Sequence, residues 1–131
     1  MKHTLIIAMS FVLALFSCSD TKSQDSKSDL TAQEFAAQIK NSPNGIVLDV
    51  RTPGEFSGGH LANALNIDWN GNNFDTEVKK LDKNKPLFVY CKGGGRSASA
   101  ADRLRALGFT KVYELAGGIL AWEAAKMPVE K

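Results

Sequence analysis

The chain has 131 residues, 44% of them hydrophobic and 23% charged, which suits one soluble domain and is too short for two full cores. Its 16 lysines and arginines nearly balance 14 aspartates and glutamates, so charge gives no argument that it binds nucleic acid. Two cysteines and two histidines cannot make a multi-cysteine zinc site or a disulfide framework, so we expect no metal.

The first 17 residues have the layout of a secretory signal peptide. A short basic start, Met1-Lys2-His3, precedes an apolar run over residues 5–16. That run is shorter than the roughly 20 residues needed to span a bilayer. It ends in Leu15-Phe16-Ser17-Cys18, which resembles a bacterial lipobox, although Phe16 stands where a small residue is usual. The resemblance implies that residues 1–17 are removed and Cys18 is lipidated; the alternative is a plain signal peptide with Cys18 incidental.

The segment 18–28 is predicted to be a flexible tether. After Cys18 it contains no apolar residue, so it cannot pack against a core. We therefore expect an exported protein, anchored by lipid on the periplasmic side of a bacterial membrane, with its folded domain over residues 29–131. Cys91 would then be the one free thiol of that domain, which is unusual because oxidising compartments tend to pair thiols.

Helix and strand signals alternate along residues 29–131. Two capping boxes, Thr31-Ala-Gln-Glu34 and Thr52-Pro-Gly-Glu55, predict a helix to about Lys40 and a short helical turn stopped by Gly58-Gly59. Apolar runs and turn residues predict strands over 46–50, 64–67, 86–90 and 111–115 and helices over 74–81, 97–107 and 118–125. We expect the last helix to pack through Leu120 and Trp122.

This alternation predicts an α/β domain with a mainly parallel central sheet and helices on both faces. In such sheets, functional sites form beyond the carboxyl ends of the strands. The residues that follow Val50, Tyr90 and Leu115 are therefore the candidates for a site.

Cys91 lies at the end of a predicted strand, before a glycine-rich loop. Consecutive glycines can adopt left-handed backbone conformations that turn N–H groups inward, and the start of the following helix adds its positive end. Basic residues within the loop add further positive charge. These features favour the thiolate, so we predict Cys91 as the nucleophile; the alternative is a buried structural cysteine before an ordinary turn. The residues predicted to bind substrate are Lys92, Gly93, Gly94, Gly95, Arg96 and Ser97.

Three segments in this order resemble the rhodanese family of single-domain sulfurtransferases and cover nearly all of residues 29–131. The first runs from Asp49 to Ile67 as Asp-Val-Arg-x-x-x-Glu-Phe-x-x-Gly-His-Leu-x-x-Ala-Leu-Asn-Ile. The other two are the loop Cys91-x-x-Gly94-x-Arg96-Ser97 and the C-terminal Gly117-Gly118-x-x-Ala121-Trp122. The chain departs from the family at Leu61-Ala62-Asn63, where Ile-Pro-Gly is commoner, and at residues 126–129, where a glycine often stands.

The resemblance implies a rhodanese-type, thiosulfate sulfurtransferase activity. The Cys91 thiolate would take the outer sulfur of a donor such as thiosulfate or a persulfide, and the loop N–H groups would hold that sulfur. A thiol or cyanide would then accept it. No metal or organic cofactor is implied, the membrane is contacted only through the lipid anchor, and we expect a monomer.

Four upstream residues are interpreted as structural support. Asp49 ends an apolar strand, and because buried carboxylates are rarely unpaired we expect it to bind Arg51 or the N–H groups of a neighbouring loop. Glu55 is interpreted as a helix-cap residue and His60 as a strut of its loop, since these positions mainly hold structure in the resembled family.

Three other functions remain open from the sequence. Gly93-x-Gly95-x-x-Ala98, followed by Glu114, fits a degenerate dinucleotide fingerprint, but this motif is weak alone. A cysteine phosphatase or arsenate reductase uses the same type of loop, with one residue more between Cys and Arg than the four found here. The third alternative is a non-catalytic module that carries sulfur or binds a partner without turnover.

Overall fold

The computed structural model describes residues 27–131, so the predicted signal peptide, Cys18 and most of the predicted tether lie outside the described residues. The strands are β1 Asp29–Leu30, β2 Ile46–Asp49, β3 Leu65–Asn66, β4 Leu87–Tyr90 and β5 Val112–Leu115. The helices are α1 Ala32–Lys40, α2 Pro53–Ser57, α3 Phe74–Val78, α4 Gly95–Ala106 and α5 Gly118–Ala124.

The strands form one parallel sheet in the order β1-β5-β4-β2-β3. Side chains of the central strand β4 alternate between two buried cores, with Phe88 and Tyr90 on one face and Leu87 and Val89 on the other. Helices α1 and α5 cover the first face through Phe35, Ile119 and Trp122. The second face packs against α3 and α4 through Phe74, Val78, Ala100, Ala101 and Leu104. The predicted parallel α/β architecture with helices on both faces is confirmed.

Both predicted capping boxes are present and set where the first two helices begin. The Thr31 side chain accepts a hydrogen bond from the Glu34 N–H while the Glu34 carboxylate accepts one from the Thr31 N–H. Thr52 and Glu55 make the same reciprocal pair at α2. The second box matters for the site, because it fixes Glu55 at the carboxyl edge of the sheet.

Several boundaries differ from those predicted. Strand β1 was not predicted, because a strand of two residues is too short to show a periodic pattern; it forms by pairing with β5. Helix α4 begins at Gly95 rather than Ser97, since Gly94 caps it in a left-handed conformation with φ of 111°. Helix α3 ends at Val78, before the predicted Leu81.

The predicted packing of the last helix was wrong at one residue. Leu120 is 52% exposed, and the buried face of α5 carries Ile119 and Trp122 instead. Leu120 and Trp122 are two positions apart and therefore lie on opposite sides of a helix, whereas Ile119 and Trp122 are three positions apart and share the buried face. Within residues 27–131, no helix is long and apolar enough to cross a membrane.

Candidate functional site

Cys91 follows the central strand β4 and begins the loop that leads into α4. Its side chain is buried, with 1% of its surface exposed, and its thiol is free. The Gly94 N–H donates a hydrogen bond to Sγ over 3.0 Å, and Ser97 Oγ lies 3.4 Å from Sγ. Ser97 Oγ is itself oriented by donating to the Gly94 carbonyl over 3.1 Å. The loop therefore closes around the sulfur atom.

The surroundings of Cys91 act in opposite directions on its pKa. Burial raises it, whereas the Ser97 hydroxyl, which can turn its proton from the Gly94 carbonyl to the thiolate, and the backbone N–H groups of Ser97, Gly94 and Gly93 lower it. The hydrogen bonds outweigh the burial, so the pKa of the thiol lies below its ordinary value. A larger fraction of Cys91 is thus thiolate at neutral pH than in an ordinary buried cysteine, and the thiolate is the nucleophilic form.

Arg96 binds Glu55 across the mouth of the loop. Its Nη1 and Nη2 donate to the two Glu55 carboxylate oxygens over 2.7 and 3.0 Å, which joins α4 to α2. The hydrogen bonds from Arg96 hold the pKa of Glu55 at about 2. Glu55 therefore binds Arg96 in addition to capping α2 as predicted. Arg96 was predicted to bind substrate, but its charge is already compensated by Glu55. The sequence did not reveal this pair because its partners lie 41 positions apart.

Asp49 and Arg51 form a buried ion pair against Tyr90, the residue that precedes Cys91. The Arg51 Nε and Nη2 groups bind the Asp49 carboxylate over 2.7–3.1 Å, and the Arg51 backbone N–H donates to the same carboxylate over 2.9 Å. Arg51 Nη2 also donates to the Gly59 carbonyl over 2.7 Å. The Asn66 amide then bridges the carbonyls of Asp49 and Arg51. This network connects the end of β2 to the loop before β3.

His60 is held within its own loop. Its ring stacks on Phe56 at a centroid distance of 3.8 Å, and its Nδ1 lies 3.0 Å from the Phe56 carbonyl oxygen. The His60 backbone exchanges two hydrogen bonds with Glu130, which attaches the C-terminal segment to this loop. These contacts connect His60 to its neighbours in the loop and to the chain end.

The remaining loop residues lie at the surface. Lys92, Gly93 and Gly95 are exposed, whereas Gly94 and Arg96 are half-buried and Ser97 is buried. A cleft of about 410 Å³ adjoins the loop and is lined by Gly93, Gly94 and Ser97 together with Glu114 and residues 115–117 of the opposite segment. A larger cavity of about 560 Å³ lies between β3 and α3 and is lined by other residues, among them Phe74 and Leu81.

The dinucleotide alternative finds little support in this geometry. Glu114, the candidate ribose acid, is bound by Arg105 over 3.1 Å. Among residues 27–131, no group of three or more His, Cys, Asp and Glu side chains is arranged to hold a metal ion. The site is built instead from one thiol, backbone N–H groups and one hydroxyl.

The first turn of α5 makes a contact that the sequence did not predict. The N–H of Ile119 donates to the Cys91 carbonyl over 2.9 Å, and the N–H of Leu120 donates to the Lys92 carbonyl over 3.2 Å. The only sequence signal for this contact was Gly117-Gly118. These glycines belong to the third segment of the family resemblance, but no role was predicted for them.

Comparisons with known proteins agree on one family. The profile of the rhodanese-like domain matches residues 31–125. The chain is 34% identical over 118 residues to YqhL, an uncharacterized protein of Bacillus subtilis, covering 90% of this chain and 89% of that protein. It is 32% identical over 91 residues to the thiosulfate sulfurtransferase GlpE of Pseudomonas putida, covering 70% and 81%. A rhodanese-related protein from Thermoplasma volcanium has a crystal structure with a TM-score of 0.69 and 33% identity, covering 78% and 96%.

Proposed function

Because this chain belongs to the rhodanese-like domain family, we propose that it is a sulfurtransferase that carries sulfur on Cys91. The observation that carries the proposal is the ring of loop N–H groups at Sγ: the Gly94 N–H donates to it over 3.0 Å, and the N–H groups of Gly93 and Ser97 also lower the pKa of the thiol. This ring favours the thiolate before reaction, and it can hold a negatively charged sulfur after reaction.

The proposed reaction has two displacement steps. The Cys91 thiolate attacks the outer sulfur of thiosulfate, so a new S–S bond forms on Sγ while the bond to the sulfonate sulfur breaks and sulfite leaves with the electron pair. An acceptor thiolate or cyanide then attacks the terminal sulfur of the persulfide. The Cys91 thiolate leaves with its electron pair and is ready for another cycle. A persulfide donor reacts in the same way and releases a thiolate instead of sulfite.

The size of the loop supports sulfur transfer over phosphate chemistry. Four residues separate Cys91 from Arg96, and the N–H groups close around one sulfur atom. A tetrahedral oxyanion needs a wider ring with room for three oxygens. Arg96 is also held by Glu55 in a bidentate ion pair, so its guanidinium is not free to bind a phosphate dianion. Lys92, which is exposed beside Cys91, supplies a positive charge for an anionic donor.

The test is mass spectrometry of the full chain treated with thiosulfate and then with cyanide. We expect the peptide that contains Cys91 to gain one sulfur atom and to lose it as thiocyanate. The Cys18→Ser variant should gain the same sulfur, and the Cys91→Ser variant should gain none. Sulfur transfer by Cys91→Ser would contradict the proposal. A persulfide that forms but is not passed to any thiol or cyanide would identify a sulfur-carrying module without turnover.

We also propose that the protein is an exported lipoprotein on the periplasmic side of a bacterial membrane. The support is the pattern of residues 1–17 followed by Cys18 and a polar segment. In that compartment, Cys91 would be protected from pairing with other thiols by its burial.

A further inference from the structure

The backbone of the first turn of α5 binds the loop of Cys91 directly. The N–H groups of Ile119 and Leu120 donate to the carbonyls of Cys91 and Lys92 over 2.9 and 3.2 Å. These are the first two carbonyls of the loop, and neither is used by the ladder of β4 or by α4. Cys91 and Gly118 lie 27 positions apart in the chain. The backbone segments that begin at these two residues are nevertheless bonded directly to each other.

This close approach requires a glycine at position 118. A Cβ there would overlap the carbonyl carbon and oxygen of Lys92 and lie 2.6 Å from the carbonyl oxygen of Cys91. Gly118 also has φ of 63°, in the left-handed region that other residues rarely adopt. The obstacle to a side chain at 118 is backbone, which cannot move aside as a flexible side chain could.

The bond to Lys92 also determines the direction of the next N–H group. The Lys92 carbonyl and the Gly93 N–H belong to the same peptide unit, and in a trans peptide they point in opposite directions. When Leu120 binds this carbonyl, the Gly93 N–H must point away from Leu120 and inward, where it is one of the groups that lower the pKa of the Cys91 thiol. The inward side holds Sγ, where Gly94 also donates.

We propose that Gly118 is a positioning residue for the chemistry of Cys91: by lacking a Cβ, it lets the first turn of α5 bind the loop carbonyls and so directs the loop N–H groups at Sγ. The expected effect of Gly118 on catalysis rests on the proposed sulfur transfer. Its effect on the direction of the loop N–H groups concerns the Cys91 thiol alone. Gly118 touches no reacting atom, so its effect must pass through the loop backbone.

The test compares Gly118→Ala with Gly108→Ala in the full chain. Gly108 also has a positive φ, of 100°, but a Cβ there would meet only the flexible side chain of Lys83. Both variants should therefore lose stability through backbone strain. The measurement is the pH dependence of iodoacetamide alkylation at Cys91, followed by mass spectrometry of its peptide. We expect Gly118→Ala to raise the alkylation midpoint by about one pH unit, roughly a tenfold smaller thiolate fraction near neutral pH, and Gly108→Ala to leave it unchanged.

A second pair of variants removes the hydrogen bond without adding a Cβ at 118. Leu120→Pro deletes the N–H that binds the Lys92 carbonyl, at a first-turn position where the helix needs no donor. Leu120→Ala shortens the same exposed side chain and keeps the N–H. The proline variant should raise the alkylation midpoint of Cys91, and the alanine variant should not.

These outcomes separate the positioning role from the proposed activity. An unchanged midpoint in both Gly118→Ala and Leu120→Pro would overturn the positioning role even if the wild-type chain transfers sulfur. Fast amide hydrogen exchange at Ile119 and Leu120 in the wild-type chain would overturn it as well, whether or not the variants fold. A shifted midpoint in a chain that takes no sulfur from thiosulfate would uphold the positioning role and reject the activity.

Discussion

The buried ion pair of Asp49 and Arg51 is the residue-scale feature with the largest expected effect on stability. Its side chains are 0% and 7% exposed, and the Asp49 carboxylate is bound by both the guanidinium and the backbone N–H of Arg51. Removing one partner of a buried pair leaves an uncompensated charge, which costs about 3–5 kcal/mol. This cost concerns the folded scaffold, because the contacts of the pair are with Gly59 and Tyr90 and not with the loop of Cys91.

We therefore predict that Asp49→Ala lowers the free energy of unfolding by about 3–5 kcal/mol, measured by urea denaturation. The matched control is Asp75→Ala, which also deprives an arginine, Arg103, of its carboxylate. That pair is exposed to solvent, so the control should change the free energy of unfolding little. Equal losses in the two variants would contradict the assignment of Asp49 to the scaffold.

The pair of Glu55 and Arg96 predicts a dependence of stability on pH. Because Arg96 lowers the pKa of Glu55 from 4.5 to about 2, folding favours the ionised carboxylate. The stabilisation is fully present above pH 4.5 and is lost as the pH falls through 2. The wild-type chain should thus lose more of its free energy of unfolding than Glu55→Gln between these pH values. Urea unfolding at several pH values checks this, and parallel curves for the two proteins would refute it.

At the scale of elements, the loop between β4 and α4 sets the size of the sulfur site. Gly94 ends the loop with φ of 111° and caps α4, so the N–H groups that follow it belong to the first turn of a helix. Since backbone atoms define the ring, its radius depends on the number of residues more than on their side chains.

A glycine inserted between Gly94 and Gly95 should therefore reduce sulfur transfer from thiosulfate and let phosphate or arsenate bind. Sulfur transfer is measured as thiocyanate formed, and binding of either anion as protection of Cys91 from alkylation. A glycine inserted between Lys83 and Asn84, in an exposed turn, should change neither measurement. If the wild-type chain hydrolysed aryl phosphates faster than it transferred sulfur, the argument from loop length would be wrong.

At the scale of the whole molecule, the chain enters the sheet near its carboxyl edge, next to the site. Asp29 of β1 pairs with Glu114 of β5, the Ser28 carbonyl accepts a hydrogen bond from the Glu114 N–H, and Asp29 and Glu114 both line the cleft beside the Cys91 loop. Glu114 in turn pairs with Val89 of β4, two residues before Cys91. A domain tethered through its N-terminal segment would therefore hold this cleft close to the tether.

The proposed anchor is tested by fractionation of cells that express the full chain. Cys18→Ser should release the domain from the membrane fraction or block its maturation, because the acylated residue is missing. Cys91→Ser should stay with the membrane, which shows that the second cysteine is not the lipid attachment point. Wild-type protein found in the cytosol with Met1 or Lys2 retained would disprove export.

Features that are encoded in neighbouring residues could be predicted from the sequence. Apolar runs predicted β2 and β4, the Thr52–Glu55 box predicted α2, and the glycines after Cys91 predicted a turn between a strand and a helix. Each of these depends on backbone preferences and on the spacing of side chains within one element. Parallel order followed from the alternation of strands with helices, because a parallel connection needs a crossover.

Contacts between segments that lie far apart in the chain could not be predicted, because they are set by how the elements pack. The bidentate pair of Glu55 with Arg96, the pairing of β1 with β5, and the bonds from α5 to the carbonyls of Cys91 and Lys92 leave no periodic trace in the sequence. Sequence patterns show which backbone and side-chain groups each element presents, but the packing of both cores determines which of those groups meet. For that reason the sequence could point to Cys91 and to the N–H groups of its glycine-rich loop, whereas the contacts from α5 and from Glu55 that position this loop became visible only in the folded chain.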